Sequence, residues 1–250
     1  VTWNWLAGGS ASSNTDGDIT SSVSANTTAG FSIVSYTGSG TASDTVGHGL
    51  GVTPAMIIVK NRTEATSWCV AHKSLSTDKV LRLESTNGEG DIGDGELDSP
   101  PNNSSTFGFN NGTTGTPLKV VNESSDNYIA YCFAEKQGYS KFGIYTGNGN
   151  ADGAFVYTGF KPAFILLKHS NSTGNSWRMF DNKRLGYNVN NYPVNANTSS
   201  AESSAVNIDL LSNGFKFRTS SSAMNDGEYI YMSFAEAPFV TSGGIPTTAR

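Results

Sequence analysis

Short apolar runs alternate along the chain with stretches of Gly, Ser, Thr and Asn. Some runs alternate apolar and polar residues, as at 31–36, and others are continuously apolar, as at 56–59, and both patterns are typical of β-strands. No segment shows a convincing amphipathic helix period. The pattern predicts strands at 31–36, 56–60, 67–72, 79–83, 106–109, 118–121, 128–135, 141–145, 155–157, 163–168, 177–180, 207–211, 215–218 and 229–234.

The pattern occurs twice along the chain. Five landmarks return in the same order at offsets between 101 and 109 residues: 36–40 as 145–149, 54–60 as 162–168, 67–68 as 176–177, 107–109 as 215–217, and 128–135 as 229–236. A period this long lies outside the roughly 20–50 residues of solenoid repeats. The sequence therefore predicts two copies of one module, each with a core of its own.

These strands predict an all-β protein of two tandem antiparallel β-sandwich modules, jelly-roll-like, related by the internal repeat. We expect module 1 at residues 29–140, module 2 at 141–240 and a C-terminal tail at 241–250. Residues 1–28 are predicted to form an extended N-terminal arm. Its Trp3 and Trp5 alternate with polar residues, and because exposed Trp rings are costly, both are predicted to dock on module 1 or on a neighbouring subunit.

Composition and charge exclude several classes of partner. Charged residues make up only 15% of the chain, and the formal net charge is −5 without any basic cluster, so nucleic acid is not an expected partner. No apolar run approaches the roughly 18 residues of a membrane helix, so membrane insertion is not expected. The abundance of Ser, Thr, Asn and Gly is typical of all-β proteins with polar turns, including extracellular and virion surface proteins.

Cys69 and Cys132 both lie in predicted strands of module 1, and their counterparts in module 2 are Arg178 and Ser233. The fold therefore does not require a disulfide. Two buried thiols are the interpretation we favour, and a disulfide between them is the alternative.

Residue types used in catalysis are present, but not in catalytic patterns. His48, His72 and His169 lie outside any hydrolase motif, and no Gly-x-Ser-x-Gly sequence occurs. The acidic residues at 89–98 crowd one loop, whereas a glycosidase needs two carboxylates that face each other across a cleft. We predict no catalytic residue, no cofactor and no enzymatic activity, with hydrolysis of a surface polysaccharide as the enzymatic alternative.

The same acidic loop contains candidate calcium ligands, Asp91, Asp94 and Glu96, because calcium prefers carboxylate and carbonyl oxygens. Their spacing does not match an EF-hand. A solvated turn without metal is therefore the interpretation we favour.

Carbohydrate sites combine exposed aromatic rings with amide and carboxylate side chains. Trp177 aligns with Trp68 of the first copy, so we expect it in the core. The Asn-rich loop near residue 190 has no counterpart in module 1, and loops of this kind often form contact surfaces. The sequence predicts ligand-contacting residues there: Tyr187, Asn188, Asn190, Asn191 and Tyr192.

Three stretches carry a family resemblance: 29–38 with 46–51 and 54–62, then 128–143, then 209–218. On these motifs the chain, from about Thr2 to Phe239, resembles an uncharacterised tandem β-domain that recurs in tail-fibre and virion structural proteins of marine tailed phages. The resemblance implies a phage structural protein, often at the end of a larger fibre-like polypeptide. It implies no catalytic residues.

Together these observations predict a non-enzymatic virion protein, assembled in the host cytoplasm. We expect a tail-fibre or spike-type adhesin that presents loops to a host-surface glycan. Other virion subunits are expected partners, and a homo-oligomer, with a trimer favoured by analogy with phage fibres, would turn weak contacts into avidity. The alternative is a capsid decoration or other structural virion protein that binds only virion subunits.

Overall fold

The computed structural model describes residues 2–91, 96–110, 119–185, 188–190, 192–202, 204 and 207–237, together with the backbone of short strands at 239–240 and 246–247. This part of the chain contains strands and turns but no helix, and so none that could cross a membrane. Its strands pair antiparallel in several sheets, which confirms the predicted all-β class. The chain divides into two compact units.

The N-terminal unit comprises Trp3–Leu83 and Glu89–Ala134. Its large sheet has eight strands in the order β1-β2-β3-β11-β5-β6-β7-β8, and its small sheet has the order β4-β10-β9. The strands are β1 (Ser12–Asn14), β2 (Ser21–Asn26), β3 (Phe31–Thr37), β4 (Thr45–Gly47), β5 (Met56–Asn61), β6 (Trp68–His72), β7 (Lys79–Arg82), β8 (Gly90–Asp91), β9 (Glu96–Leu97), β10 (Thr106–Asn110) and β11 (Asn127–Phe133).

The C-terminal unit comprises the chain from Glu135 onward together with Glu84–Gly88 and Thr2. Its large sheet has the order β12-β19-β14-β15-β16, and its small sheet has the order β13-β18-β17. The strands are β12 (Ser140–Asn148), β13 (Phe155–Tyr157), β14 (Pro162–His169), β15 (Arg178–Asp181), β16 (Val194–Asn195), β17 (Ile208–Leu211), β18 (Gly214–Phe217) and β19 (Asp226–Ala235), and a separate pair is formed by β20 (Phe239–Val240) and β21 (Pro246–Thr247).

The core of the N-terminal unit contains buried side chains from both of its sheets, which makes the unit sandwich-like. Val34 and Tyr36 of β3 belong to one cluster with Val46 of β4 and Phe107 of β10. Successive side chains of a strand point to opposite faces, so alternate residues reach this core. Tyr36 stacks on Tyr128 of β11 with ring centroids 5.1 Å apart.

The core of the C-terminal unit is built in the same way. Val156 of β13 and Phe217 of β18 cluster with residues of the large sheet, including Tyr145 of β12 and Tyr229 of β19. The two Tyr rings stack at 4.9 Å with planes 9° apart.

Strand order is shared by the two units. The series β3-β11-β5-β6-β7 in one large sheet matches β12-β19-β14-β15-β16 in the other, and β4-β10-β9 matches β13-β18-β17. The stacked Tyr pairs occupy matching places, and their hydroxyls are used alike: Tyr36 donates to the carbonyl of Val121, and Tyr145 to that of Met224.

The structure does not confirm the extended N-terminal arm. Residues 22–26 of β2 pair with β3, and Ile19 forms a bridge with Val46 of β4, so this segment is part of the N-terminal unit. The Ser-rich sequence of β2 concealed the strand, because only Val23 and Ala25 offer apolar side chains to the core. Residues 2–8, around the two Trp side chains, form no strand. Residues 119–121, the described part of the predicted strand at 118–121, lie in a turn.

Candidate functional site

Part of the predicted glycan-contacting loop holds strand β17 in place. Asn188 accepts a hydrogen bond from the amide of Leu210 at 2.9 Å and donates to the carbonyl of the same residue at 3.1 Å. Asn190 is only 3% exposed, and its side-chain amide donates to the carbonyl of Asp181 at 2.6 Å. Both carboxamides are therefore engaged with backbone groups, which gives these two residues a structural role.

Tyr192 is the aromatic member of this predicted set in the described chain, with 36% of its area exposed, and Asn188 is exposed as well. Tyr187 and Asn191 lie outside the described residues. The described part of the loop thus offers one exposed aromatic side chain to a ligand.

Trp3 and Trp5 are both half-buried. The ring of Trp5 packs edge-to-face on Phe133 at the end of β11, with centroids 6.1 Å apart. The ring therefore docks within its own unit, one of the two predicted places. A contact of these residues with a neighbouring subunit stays a prediction.

The candidate calcium ligands do not form a cation site in the described residues. Glu96 is fully buried in β9 and forms an ion pair with Arg82 of β7, so its carboxylate already has a cationic partner. Asp94 and the side chain of Asp91 lie outside the described residues. Within the described chain, no group of three or more His, Cys, Asp or Glu residues could hold a metal ion.

Cys69 and Cys132 are free thiols buried in the core of the N-terminal unit. Burial raises the pKa of Cys132 to about 12. A thiol with a raised pKa in apolar surroundings is a poor nucleophile, so this residue packs as a small hydrophobic side chain.

The buried histidines bond to nearby backbone groups. His48 accepts a hydrogen bond from the amide of Leu50 at 3.2 Å, and the Nε2 atom of His169 lies 3.1 Å from the carbonyl oxygen of Asp226. Burial lowers the pKa of both imidazoles, which favours their neutral form. His48 is thus held in a turn and His169 at the end of β14, which favours a structural role for both rings.

Two lysines at equivalent positions cap strand ends. Lys60 of β5 donates to the carbonyl of Thr66 at 2.9 Å, and Lys168 of β14 donates to the carbonyls of His169 and Thr86 at 3.1 and 3.2 Å. Burial lowers the pKa of Lys168 to about 8. A lowered amine pKa is also found in catalytic lysines. Here the same position in both units serves to bind backbone carbonyls, which favours a structural role.

A buried Asn in each unit fixes the Gly-rich loop that follows the first repeated strand. Asn122 accepts a hydrogen bond from the amide of Ser39 at 2.9 Å and donates to the carbonyl of Thr41. Asn225 donates to the side-chain oxygen of Asn148 at 2.9 Å and to the carbonyl of Asn150 at 2.8 Å. The sequence comparison missed this pair because the two Asn residues lie in turns outside the five repeated landmarks.

A polar groove of about 400 Å³ crosses the ends of strands β1, β2, β3 and β11 in the N-terminal unit. Its lining includes Ser22, Thr37, Arg62 and Asn127, which are exposed. The groove offers hydroxyl, amide and guanidinium groups, which suit hydrogen bonding to a polar ligand. Its lining contains no His, Cys or carboxylate to act as a general base beside the hydroxyls.

Exposed apolar side chains occur on two strands of the C-terminal unit. Ile144 of β12 is 46% exposed, and Phe155 and Tyr157 of β13 are 46% and 61% exposed. The two aromatic residues are two positions apart and therefore lie on the same face of their sheet. Ile144 lies on the outer face of the large sheet and the two aromatic residues on that of the small sheet, because their neighbours Tyr145 and Val156 point into the core.

Comparison with known proteins gives a family and no function. No curated protein and no solved structure matches the chain. A family model, described as a domain of unknown function, DUF7483, matches residues 1–238. The chain therefore belongs to the DUF7483 family.

Proposed function

We propose that this chain is a non-enzymatic structural protein of a tailed-phage virion, in a tail fibre or spike that contacts the host surface. The proposal rests on one observation: the two units share buried polar side chains and differ in exposed ones. Buried polar side chains that could take part in catalysis, such as those of Lys168 and Asn225, instead bind backbone atoms. Both residues have counterparts at the same position of the other unit. Exposed side chains differ between the two units. A protein that presents binding loops on a constant framework would show this pattern.

The proposal includes a duplicated module. The shared strand order, the matching stacked Tyr pairs and the equivalent buried Asn residues support two copies of one β-sandwich. A duplicated rigid scaffold can present different surfaces from the same framework, and a homotrimer would multiply weak contacts into avidity. Light scattering tests the trimer, and a monomeric mass would remove that part of the proposal.

Contact with a host glycan is assigned to the surface that carries Tyr192. An exposed aromatic ring beside polar loop residues is a common form of contact residue. In a screen of host-surface glycans we expect wild-type protein to bind and Tyr192→Ala to bind at least tenfold more weakly. Tyr157→Ala, another exposed Tyr in the same unit, is the matched control and should bind like wild type.

The second candidate is a capsid decoration or other virion protein that binds only virion subunits. The exposed apolar side chains of β12 and β13 favour it, because they would be covered by contact with another subunit. Immunogold electron microscopy of intact phage particles, with an antibody against this chain, separates the two. Gold at the tail tip or fibres supports the adhesin, gold over the head supports the decoration protein, and unlabelled particles contradict both.

A further inference from the structure

The two units differ at one side of the sandwich. In the N-terminal unit β2 lies beside β3, and Ile19 bridges to β4, so residues 19–26 connect the edges of the large and small sheets. In the C-terminal unit the equivalents of β3 and β4 are β12 and β13. Both are the outermost strands of their sheets in the part of the chain that the structure describes.

The backbone of β12 directs hydrogen-bonding groups away from its neighbour β19. The amide of Ala235 donates to the carbonyl of Tyr139 at 2.8 Å, which fixes the alternation of the antiparallel ladder. By that alternation, the N–H and C=O groups of Ile144 and Thr146 point to the outer edge. In the N-terminal unit the equivalent residue Ser35 faces β2.

The backbone of β13 has the same property. The carbonyl of Ala154 accepts from Phe217, and the amide of Thr158 donates to Asn213. The residues between them that point outward are therefore Phe155 and Tyr157. At the equivalent edge of β4, the carbonyl of Thr45 accepts a hydrogen bond from the amide of Ile19 at 3.0 Å, and that of Gly47 accepts one from the hydroxyl of Ser21 at 3.1 Å.

The edge strands of the C-terminal unit carry apolar side chains where the N-terminal unit has polar ones. Ile144 and Phe155 occupy the positions that Ser35 and Thr45 hold in the N-terminal unit. Exposed strand edges tend to pair with other chains, and monomeric proteins usually blunt them with charged residues or Pro. At Ile144, Phe155 and Tyr157 the edges of β12 and β13 instead carry exposed apolar side chains. Nearer the start of β12, the outward amide of Phe142 is bonded to the carboxylate of Glu135, so the open part of this edge begins at Ile144.

We infer that this side of the C-terminal unit binds an extended segment of another polypeptide by strand addition. The segment that fills the equivalent place in the N-terminal unit defines the chemistry of the partner. Ile19 and Val23 enter the core, and the carboxylate of Asp18 accepts from the amide of Thr45 at 3.0 Å. The partner segment therefore carries an acidic residue followed by aliphatic residues that are separated by Ser or Thr. This inference is independent of a phage origin.

A synthetic fluorescent peptide with the sequence of residues 16–27 is the probe, and fluorescence anisotropy with the full chain is the measurement. We expect saturable binding. A control peptide with Ile19→Asp and Val23→Asp should bind at least tenfold more weakly, because both buried positions then carry charge.

Two variants of the full chain test the edge itself. Phe155→Pro and Ile144→Pro each remove an outward N–H and leave the bonds to β18 and β19 in place, since Pro is tolerated on edge strands in this orientation. Each should weaken peptide binding at least tenfold. Val52→Ser, which changes an apolar side chain of similar exposure in the N-terminal unit, should bind like wild type.

Amide hydrogen exchange of the wild-type chain, with and without peptide, locates the binding site directly. The amides of Ile144, Phe155 and Tyr157 should exchange rapidly in the free chain and become protected when peptide is bound. Absence of saturable binding, equal affinity for the two peptides, or protection confined to other strands would overturn the inference.

Discussion

At the residue scale, the two units fill one core position with different pairs of side chains. Val34 faces Ala130 across β3 and β11, whereas Gly143 faces Tyr231 across β12 and β19. A Cβ atom on Gly143 would lie 3.0 Å from the Tyr231 ring. Small and large residues have therefore exchanged strands, and the core remains filled.

This pairing predicts the effect of adding volume at Gly143. Gly143→Val should reduce the free energy of unfolding by roughly 1–3 kcal/mol through overpacking against Tyr231. In the presence of Tyr231→Ala the same substitution should cost much less, because the pair then matches the N-terminal unit. Urea unfolding of the four proteins of the cycle measures the coupling, and strictly additive changes would contradict it.

The buried residues Asn122 and Asn225, which hold the Gly-rich loops like a clamp, give a second prediction. Asn225→Ala leaves the amides of Asn148 and Ala154 without their side-chain acceptor, at a cost of roughly 1–3 kcal/mol in unfolding free energy. Asn122→Ala is the matched change in the other unit, and calorimetry should show each variant lowering the stability of its own unit. An unchanged transition in either variant would argue against the clamp.

Lys168 predicts a pH dependence of stability. Its pKa in the folded chain is lowered to about 8 by burial, so between pH 8 and the pKa of an unfolded lysine, about 10.4, the unfolded chain binds more protons. Stability of wild type relative to Lys168→Met should therefore rise as pH increases through this window. Chemical denaturation at pH 7, 8.5 and 9.5 measures the difference, with Lys60→Met as the control at the equivalent strand position. A flat difference would show that burial leaves the amine unperturbed.

At the scale of elements, substitution by Pro at equivalent positions should destabilise the N-terminal unit and leave the C-terminal unit almost unchanged. Ser35→Pro removes an N–H that faces β2 and should destabilise the N-terminal unit by roughly 1–3 kcal/mol. Ile144→Pro, at the equivalent position of β12, removes an N–H at an outer edge and should change stability by less than about 0.5 kcal/mol. Thermal unfolding followed by circular dichroism compares the two, and equal losses would place a bonded strand beside β12.

Strands with dense apolar patterns were predictable, and strands without them were not. The repeated runs at β5, β14, β11 and β19 were located from their side chains alone, because these central strands have dense apolar sequences. β5 and β14 are buried almost throughout, and β11 is buried at alternate positions. β2 was not predicted because Ser and Asn fill most of the strand, with only Val23 and Ala25 as apolar residues, and it is held by pairing with β3. The exposed edge positions Phe155 and Tyr157 were assigned to a strand, but their exposure depends on which strands lie beside them, and a single run of residues does not encode that.

At the scale of the whole molecule, the two units share most of their strand order. Each unit has the stacked Tyr pair, the buried Asn and the same order of strands. What differs is the segment that closes one side of the sandwich, present in the N-terminal unit as residues 19–26. The two units therefore have the same framework and different capacities for contact.

Residues 2–28 consequently have a folding role that an extended docking arm would lack. Ile19 and Val23 are buried in the core of the N-terminal unit, and replacement of a buried Ile by Ala costs roughly 2–5 kcal/mol. Deletion of residues 2–28 should therefore unfold the N-terminal unit, with loss of its calorimetric transition, whereas deletion of residues 2–8 alone should leave most of that transition. If the longer deletion melts like the full chain, the segment is a docking arm, and its pairing with β3 and β4 contributes nothing to stability.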